Sequence, residues 1–336
     1  MTHPATWWKT EASGVRCLLC PHFCLLQPNE TGICRTRQNL NNELVTHAYH
    51  QVAAWHIDPV EKKPLFHFLP GSQTLSIATR GCNLRCLNCQ NADLSQVAPS
   101  GFRPEQTMTP AQIVEMAQKI GCSSISYTYT EPTVYYELML DTARLARKAG
   151  LKNIMVSSGY INPQPLKELI PYLDAANIDL KSFVADTYEK LCSARLQPVL
   201  KTLQLLLKEK VWLEITNLII PGWTDDLDAI KKMCAWLADN GFSHTPLHFS
   251  RFFPTHQLLG VPPTAVKAVE EAAQTAKDAN IHYVYTGNLP IHHREITLCH
   301  HCGEPLINRM GNRLITCRLT TNICPDCQQF IPGVFN

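Results

Sequence analysis

Seven short β-branched, apolar runs recur along the middle of this chain, and stretches of helical period separate most of them. That alternation narrows the fold more than any other feature. The expected strands are Thr74–Thr79, Ser123–Tyr129, Asn153–Ser157, Ala175–Leu180, Val211–Ile220, Pro246–Ser250 and Ile281–Tyr285. Between them, Pro110–Ile120 reads as a helix capped by Thr109, and Thr133–Ala149 as one closed by Gly150. Further helices are expected at Gln164–Tyr172, Pro198–Lys208, Asp226–Asn240 and Thr264–Ala279. This spacing implies right-handed β-α-β crossovers and a parallel sheet, hence an α/β fold. Six or seven such units make an open or partial barrel, with a doubly wound open sheet as the alternative. In either architecture the functional residues belong at the carboxyl ends of the strands.

The chain has 336 residues, 45% of them hydrophobic and 17% charged, enough for a sizeable core and unlike a disordered sequence. Its net charge of +2 gives no broad electrostatic grip on nucleic acid. No apolar run approaches the ~20 residues that span a bilayer, and the first ten lack the apolar core of a signal peptide. Fifteen cysteines, an odd number, fall mostly in tight clusters with metal-ligand spacing, which argues against a disulfide framework. A reduced cytoplasmic metalloprotein is expected.

The central cluster, Arg80-Gly81-Cys82-Asn83-Leu84-Arg85-Cys86-Leu87-Asn88-Cys89, follows the first strand of the array with C-x3-C-x2-C spacing. A closed [4Fe–4S] cluster takes four thiolates, so three with no fourth nearby leave one iron open. A structural zinc or iron site completed by a distant residue is the plainer alternative.

This motif and its setting resemble the radical S-adenosylmethionine superfamily. The resemblance implies a partial (β/α)6-type TIM barrel and a [4Fe–4S] cluster on Cys82, Cys86 and Cys89. The open iron would bind the amino and carboxylate groups of S-adenosylmethionine. A low-potential electron, from a donor such as ferredoxin or flavodoxin, would then release a 5′-deoxyadenosyl radical to take hydrogen from a protein or small-molecule substrate. Tyr129-Thr130-Glu131-Pro132 is similar to the segment that contacts the methionine amino group in that superfamily. Ser157, in Ser157-Ser158-Gly159-Tyr160, is placed to reach a ribose. Asp179 and Lys181 share one face of their strand end, where the lysine can pair with a carboxylate, and Ile220-Pro221-Gly222 suits packing beside an adenine.

Arg16-Cys17-Leu18-Leu19-Cys20-Pro21-His22, the run Asp58-Pro59-Val60-Glu61-Lys62-Lys63-Pro64-Leu65-Phe66-His67-Phe68 and the terminal cysteines extend the likeness over nearly the whole chain. Together they resemble the AmmeMemoRadiSam-system radical enzymes, a group similar to pyruvate formate-lyase activating enzymes. Glycyl-radical activation of a partner enzyme is therefore an alternative function. Two features depart from the activase pattern: Asn91 to Pro110 leaves no room for a ferredoxin-like insert, and a cysteine-rich tail follows the barrel. A non-catalytic zinc-binding interaction protein is a second alternative, and a nucleic-acid-modifying radical enzyme a third.

Three units are expected: an irregular Cys-rich segment at 1–70, the barrel at 71–292 and a zinc-ribbon-like module at 293–336. Cys17, Cys20, Cys24 and Cys34 can close a zinc site or an auxiliary cluster, with His22 beside them. Cys299, Cys302, Cys324 and Cys327 form two zinc-binding knuckles, with Cys317 a bystander and His300 and His301 exposed. Cys192 is a candidate to face the substrate and Arg251 to clamp an acidic group, whereas Cys122 and Cys234 read as small buried residues. The charged stretch from Asp58 to His67 is either a solvated loop or part of a closing cleft.

Overall fold

The computed structural model describes residues 2–97, 106–290 and 295–335. The boundary expected at 292/293 and the middle of the stretch from Asn91 to Pro110 lie outside them.

An eight-stranded sheet organises the molecule. Its strands are β1 (Ala54–Pro59), β2 (Gln73–Ala78), β3 (Ser124–Tyr127), β4 (Lys152–Ser157), β5 (Ala175–Asp179), β6 (Trp212–Ile219), β7 (Leu247–Arg251) and β8 (Val284–Gly287). They lie side by side in chain order; β2 to β8 pair in parallel and β1 runs antiparallel to β2. A doubly wound sheet reverses its strand order at a switch point. This one never reverses, so the partial barrel stands and the open-sheet alternative falls.

The helices form where periodicity and capping chemistry expect them. Among the described residues the helices of seven residues or more are α1 (Pro110–Ile120), α2 (Tyr136–Lys148), α3 (Pro163–Leu169), α4 (Ala185–Cys192), α5 (Leu196–Lys208), α6 (Leu227–Asp239) and α7 (Val266–Asp278). Thr109 and Gln112 close a reciprocal capping box at the start of α1, and Asp226 caps α6. No helix is expected at α4, which lies between two closely spaced elements.

The two faces of β2 explain the barrel. Leu75 and Ile77 point outward into the main apolar core under the helices. Thr74 and Ser76 point inward, where Thr74 Oγ1 lies 2.7 Å from Ser126 Oγ and Ser76 Oγ donates to Asp58 at 2.8 Å. The lumen is thus polar, and the segment between β1 and β2 fills it from the amino-terminal end. The backbone N–H groups of Phe66 and His67 donate to the Glu214 carboxylate at 2.8–2.9 Å, and Asn177 Nδ2 donates to the Pro64 carbonyl at 2.8 Å. Lys63 pairs with Asp58 at 2.6 Å and is 1% exposed. Asp58, Glu61, Lys63 and His67 are all buried, so this stretch is neither a solvated loop nor a lid but the floor of the barrel.

The first fifty residues are more ordered than expected. Trp8–Glu11, Gly14–Cys17 and Leu25–Leu26 form one small antiparallel sheet, and His3–Pro4, Glu43–Thr46 and Arg37–Leu40 another. Asn41 and Asn42 both hold positive φ in a two-residue hairpin turn, a geometry asparagine tolerates. Arg37, 1% exposed, donates to Glu137 of α2 at 2.5 Å and anchors this layer to the barrel. Because β1 belongs to the large sheet, the barrel begins well before position 71. At the other end Pro305–Met310 and Arg313–Cys317 form a hairpin packed against β8 and the floor.

Candidate functional site

Cys82, Cys86 and Cys89 lie in the loop that leaves the carboxyl end of β2. Gly81, at φ +93°, makes the turn into this loop. A Cβ there would come within 2.7 Å of the Cys34 carbonyl oxygen and 2.5 Å of the Thr36 methyl, so only glycine lets the amino-terminal cysteine segment lie against the loop. Asn83 fastens the loop from the other side: its Nδ2 donates to the Tyr160 carbonyl at 2.8 Å, and its own carbonyl meets His22 Nε2 at 2.7 Å. His22 is therefore a brace between the two cysteine loops.

Polar groups approach two of the sulfurs directly. The Leu84 N–H donates to Cys82 Sγ at 3.3 Å, and Ser95 Oγ lies 3.0 Å from Cys89 Sγ. Burial pushes the Cys82 and Cys89 thiols up, with the Glu131 carboxylate adding to the rise at Cys82. Cys86 behaves oppositely: a hydrogen bond from Cys192 lowers it against burial, and the Lys181 charge lowers it further. Hydrogen bonds to thiolates are among the levers that set the potential of an iron–sulfur site. Cys192, expected to face a substrate, is instead buried against Cys86, and the backbone carbonyls of Leu191 and Cys192 accept from Leu87 and Arg85.

The other expected residues gather at neighbouring strand ends. Glu131 follows β3 and its carboxylate accepts five bonds: from Thr133 N and Oγ1, from Ser157 Oγ at 2.7 Å, and from Ser158 N and Oγ at 2.8 and 2.6 Å. These join the ends of β3 and β4 around one buried negative charge. Tyr129, two residues earlier, holds φ +64°, which a bulky residue adopts only when its surroundings force it. Its carbonyl accepts from Asn91 Nδ2 at 2.7 Å and its hydroxyl donates to Asp58 in the floor. After β5, Lys181 Nζ lies 2.6 Å from Asp179 Oδ2. Burial works to lower the Lys181 ammonium, but Asp179 and the Cys86 and Cys192 sulfurs hold it above the usual lysine range.

Arg251 does not reach this group. Its Nε donates to the Thr264 carbonyl at 2.6 Å and its guanidinium stacks over Phe253, holding the connection from β7 to α7. The sequence motifs single out neither Asn91 nor Asn217 as site residues. Asn217, 3% exposed on β6, donates to the Leu180 carbonyl at 2.7 Å while its Oδ1 has no partner; the Asn88 Oδ1 in the cysteine loop has none either. Asn217, Ser182, Trp223 and Thr224 line a cavity of about 360 Å³ beside the ends of β5 and β6. Three thiols, a saturated carboxylate and buried unpaired amide oxygens on one rim fit a bound cluster with a polar cofactor beside it.

The outer cysteines differ in spacing. The terminal set is compact: Cys299 and Cys327 sulfurs are 3.6 Å apart, and those of Cys302 and Cys324 3.8 Å. A tetrahedral zinc with ~2.3 Å bonds to sulfur spaces thiolates about 3.8 Å apart, so this set fits zinc. All four sulfurs lie within 4.8 Å of one another; Cys17, Cys20, Cys24 and Cys34 form no such tight group. Cys317 is exposed outside the knuckles, and Cys122 and Cys234 are buried as expected. His300, expected exposed, is half-buried with Nδ1 2.8 Å from the Tyr283 hydroxyl.

Known proteins share this architecture. The radical SAM superfamily matches residues 76–234. An uncharacterised protein of Methanocaldococcus jannaschii is 45% identical, with 96% of each chain covered. Pyruvate formate-lyase 1-activating enzyme of Escherichia coli is 22% identical over 48% of this chain and 67% of its own length. Among solved structures, Streptococcus suis SuiB bound to S-adenosylmethionine superposes with a TM-score of 0.51, at 12% identity, covering 73% of this chain and 58% of that one. The strand-end cysteine loop, the unreversed barrel, the family match and the activating-enzyme relative agree: the chain is an enzyme and belongs to the radical SAM superfamily.

Proposed function

We propose that this enzyme reductively cleaves S-adenosylmethionine at a [4Fe–4S] cluster held by Cys82, Cys86 and Cys89, and that the product radical takes a hydrogen atom from a substrate at the carboxyl rim. The carrying observation is that the C-x3-C-x2-C loop shares one rim with Glu131, Ser157 and the Asp179–Lys181 pair. Bound there, the cluster would supply the low-potential electron that splits the sulfonium into methionine and a 5′-deoxyadenosyl radical. The chain's own residues bind and orient. Glu131 offers a fixed negative charge to the methionine ammonium, Ser157 lies beside it toward the ribose, and Lys181, with Asp179, offers a positive charge to a carboxylate.

The terminal cysteines would hold structural zinc in a module beginning near residue 293. The amino-terminal set, wider than mononuclear zinc asks and packed against Gly81, suits an auxiliary iron–sulfur cluster that passes electrons inward from a ferredoxin or flavodoxin. No described helix is long and apolar enough to cross a membrane. All fifteen cysteines are free, which supports a reducing, cytoplasmic setting. Activation of a glycyl-radical enzyme is the second reading, favoured by the activating-enzyme relatives.

Anaerobic reconstitution with iron and sulfide, followed by reduction with S-adenosylmethionine, tests the proposal. We expect 5′-deoxyadenosine from the wild-type chain and none from Cys86→Ala, whose terminal zinc remains. Unchanged 5′-deoxyadenosine production by that variant would overturn the ligand assignment. A colourless chain that takes up only zinc would overturn the enzyme mechanism.

A further inference from the structure

Far from the cysteine rim, three histidines from different parts of the chain converge. His244 precedes β7, His282 precedes β8, and His300 sits in the first knuckle of the terminal module. One ring nitrogen from each lies within 4.8 Å of the other two. Nδ1 of His244 and Nδ1 of His282 face each other at 3.1 Å. The ring centroids are 4.4 Å apart for His244 and His282, 5.5 Å for His244 and His300, and 5.2 Å for His282 and His300. Both barrel histidines stand at the amino-terminal ends of their strands, the face opposite the cysteine loop.

We propose that these imidazoles bind a late first-row divalent cation, zinc in the first instance, and that the metal clamps the terminal module to the barrel. Neutral imidazole is a common zinc ligand, and three histidines with water in the fourth position form a recurring zinc site. Bonds of ~2.0–2.1 Å to a tetrahedral zinc place ligand nitrogens about 3.3 Å apart, close to the separation of the His244 and His282 nitrogens.

Two histidines also have the outer hydrogen bonds that orient a metal ligand. His282 Nε2 lies 3.2 Å from Asn280 Oδ1, and an N–H donated there leaves the Nδ1 lone pair aimed at His244. His300 Nδ1 is 2.8 Å from the Tyr283 hydroxyl, and donation to that oxygen frees Nε2 in the same way.

The backbone around the trio is already ordered. The His282 N–H donates to the Ser243 carbonyl at 2.9 Å and the Leu247 N–H to the Tyr283 carbonyl at 2.9 Å, tying the two barrel loops together. Little reorganisation would oppose binding. His244 is exposed, so a metal can reach the site from solvent and keep water as its fourth ligand. His301, the neighbouring knuckle histidine, is outside the trio. A metal here would stand among no reacting groups; its effect is mechanical, joining two barrel loops to the module. The inference is independent of the radical chemistry.

The test uses the full chain after iron–sulfur reconstitution and zinc loading, with zinc alone as the probe. His244→Asn/His282→Asn should retain one equivalent of zinc fewer per chain than the wild type after dialysis. In calorimetric titration its affinity at this site should fall at least ~100-fold. His301→Asn should match the wild type, and unchanged 5′-deoxyadenosine formation by the double variant would show an intact barrel. Hydrogen exchange at residues 280–284 and 297–300 should slow on zinc binding in the wild type and not in the double variant. Equal zinc content in wild type and double variant would overturn the site. Zinc uptake at the site without slowed exchange would overturn the clamp.

Discussion

Glu131 and His67 show how single side chains are committed by their neighbours. The Glu131 oxygens already accept five donors, so the side chain is held rigid rather than free to move. Glu131→Gln removes the charge and turns an amide N–H₂ toward those donors. Charge-assisted hydrogen bonds contribute ~1.5–3 kcal/mol, so S-adenosylmethionine should bind about 10- to 100-fold more weakly, as read by equilibrium dialysis of the reconstituted chain. His67 is buried with Nδ1 2.7 Å from the Pro332 carbonyl and Nε2 2.6 Å from the Tyr285 hydroxyl. The first contact requires N–H on Nδ1; in the neutral ring Nε2 then accepts from the tyrosine hydroxyl. Burial pushes its pKa down to about 4, against the Glu214 charge. The unfolded chain, with histidine near 6.5, binds the extra proton first as pH falls. Stability from this group is therefore complete above about 6.5 and declines toward 4, by up to about 3 kcal/mol. His67→Gln should flatten the fall in melting temperature between pH 7 and pH 5; an unchanged fall would mean that other groups carry it.

At the scale of elements, the turn into the cysteine loop is the most exposed to test. Gly81→Ala asks a Cβ to occupy space taken by the Cys34 carbonyl, at a left-handed φ. We expect a cost of ~1–3 kcal/mol and less iron per chain after reconstitution, measured by metal analysis. Full iron incorporation would mean that the amino-terminal segment can withdraw without disturbing the loop. Much at this scale was legible in the sequence. The seven expected parallel strands form, and Thr109 caps the helix it precedes, because periodicity and capping act between residues a few positions apart. The elements missed were those without such a signal. β1 reads as part of a charged loop, and its identity depends on pairing with β2. The short amino-terminal strands alternate poorly, and the hairpin turn at Asn41-Asn42 is evident only in the structure.

The whole molecule is closed from below by contacts between remote segments. Arg309 of the terminal hairpin donates to Phe66 O and to Thr297 Oγ1 at 2.9 Å, approaches Glu61 at 3.6 Å, and covers the Phe66 ring at 4.4 Å. Phe66 in turn is fixed by Glu214, so module, floor and barrel wall form one connected network. Removing one partner of a buried ion pair costs ~3–5 kcal/mol because the other charge is stranded. Arg309→Met should therefore lower the melting temperature and make the segment from 60 to 72 susceptible to limited proteolysis. Resistance equal to the wild type would show that the apolar cluster around Tyr283, Leu306 and Ile331 holds the module without it.

The sequence by itself determined the α/β class, the order of strands and helices, the three cysteine groups and the strand ends that carry polar residues. Apart from the 22 positions between the two terminal knuckles, these are written in spacings of two to about ten residues, where backbone geometry and metal coordination act directly. Tertiary structure decided what those spacings cannot encode. It buried Asp58, Lys63 and His67 as a floor, set Cys192 beneath Cys86, turned Arg251 away from the rim and gathered His244, His282 and His300. These outcomes hang on partners such as Phe66 with Glu214 or His67 with Tyr285, separated by 148 and 218 positions. The burial of a charge depends on the group opposite it, and chain closure alone brings that group within reach.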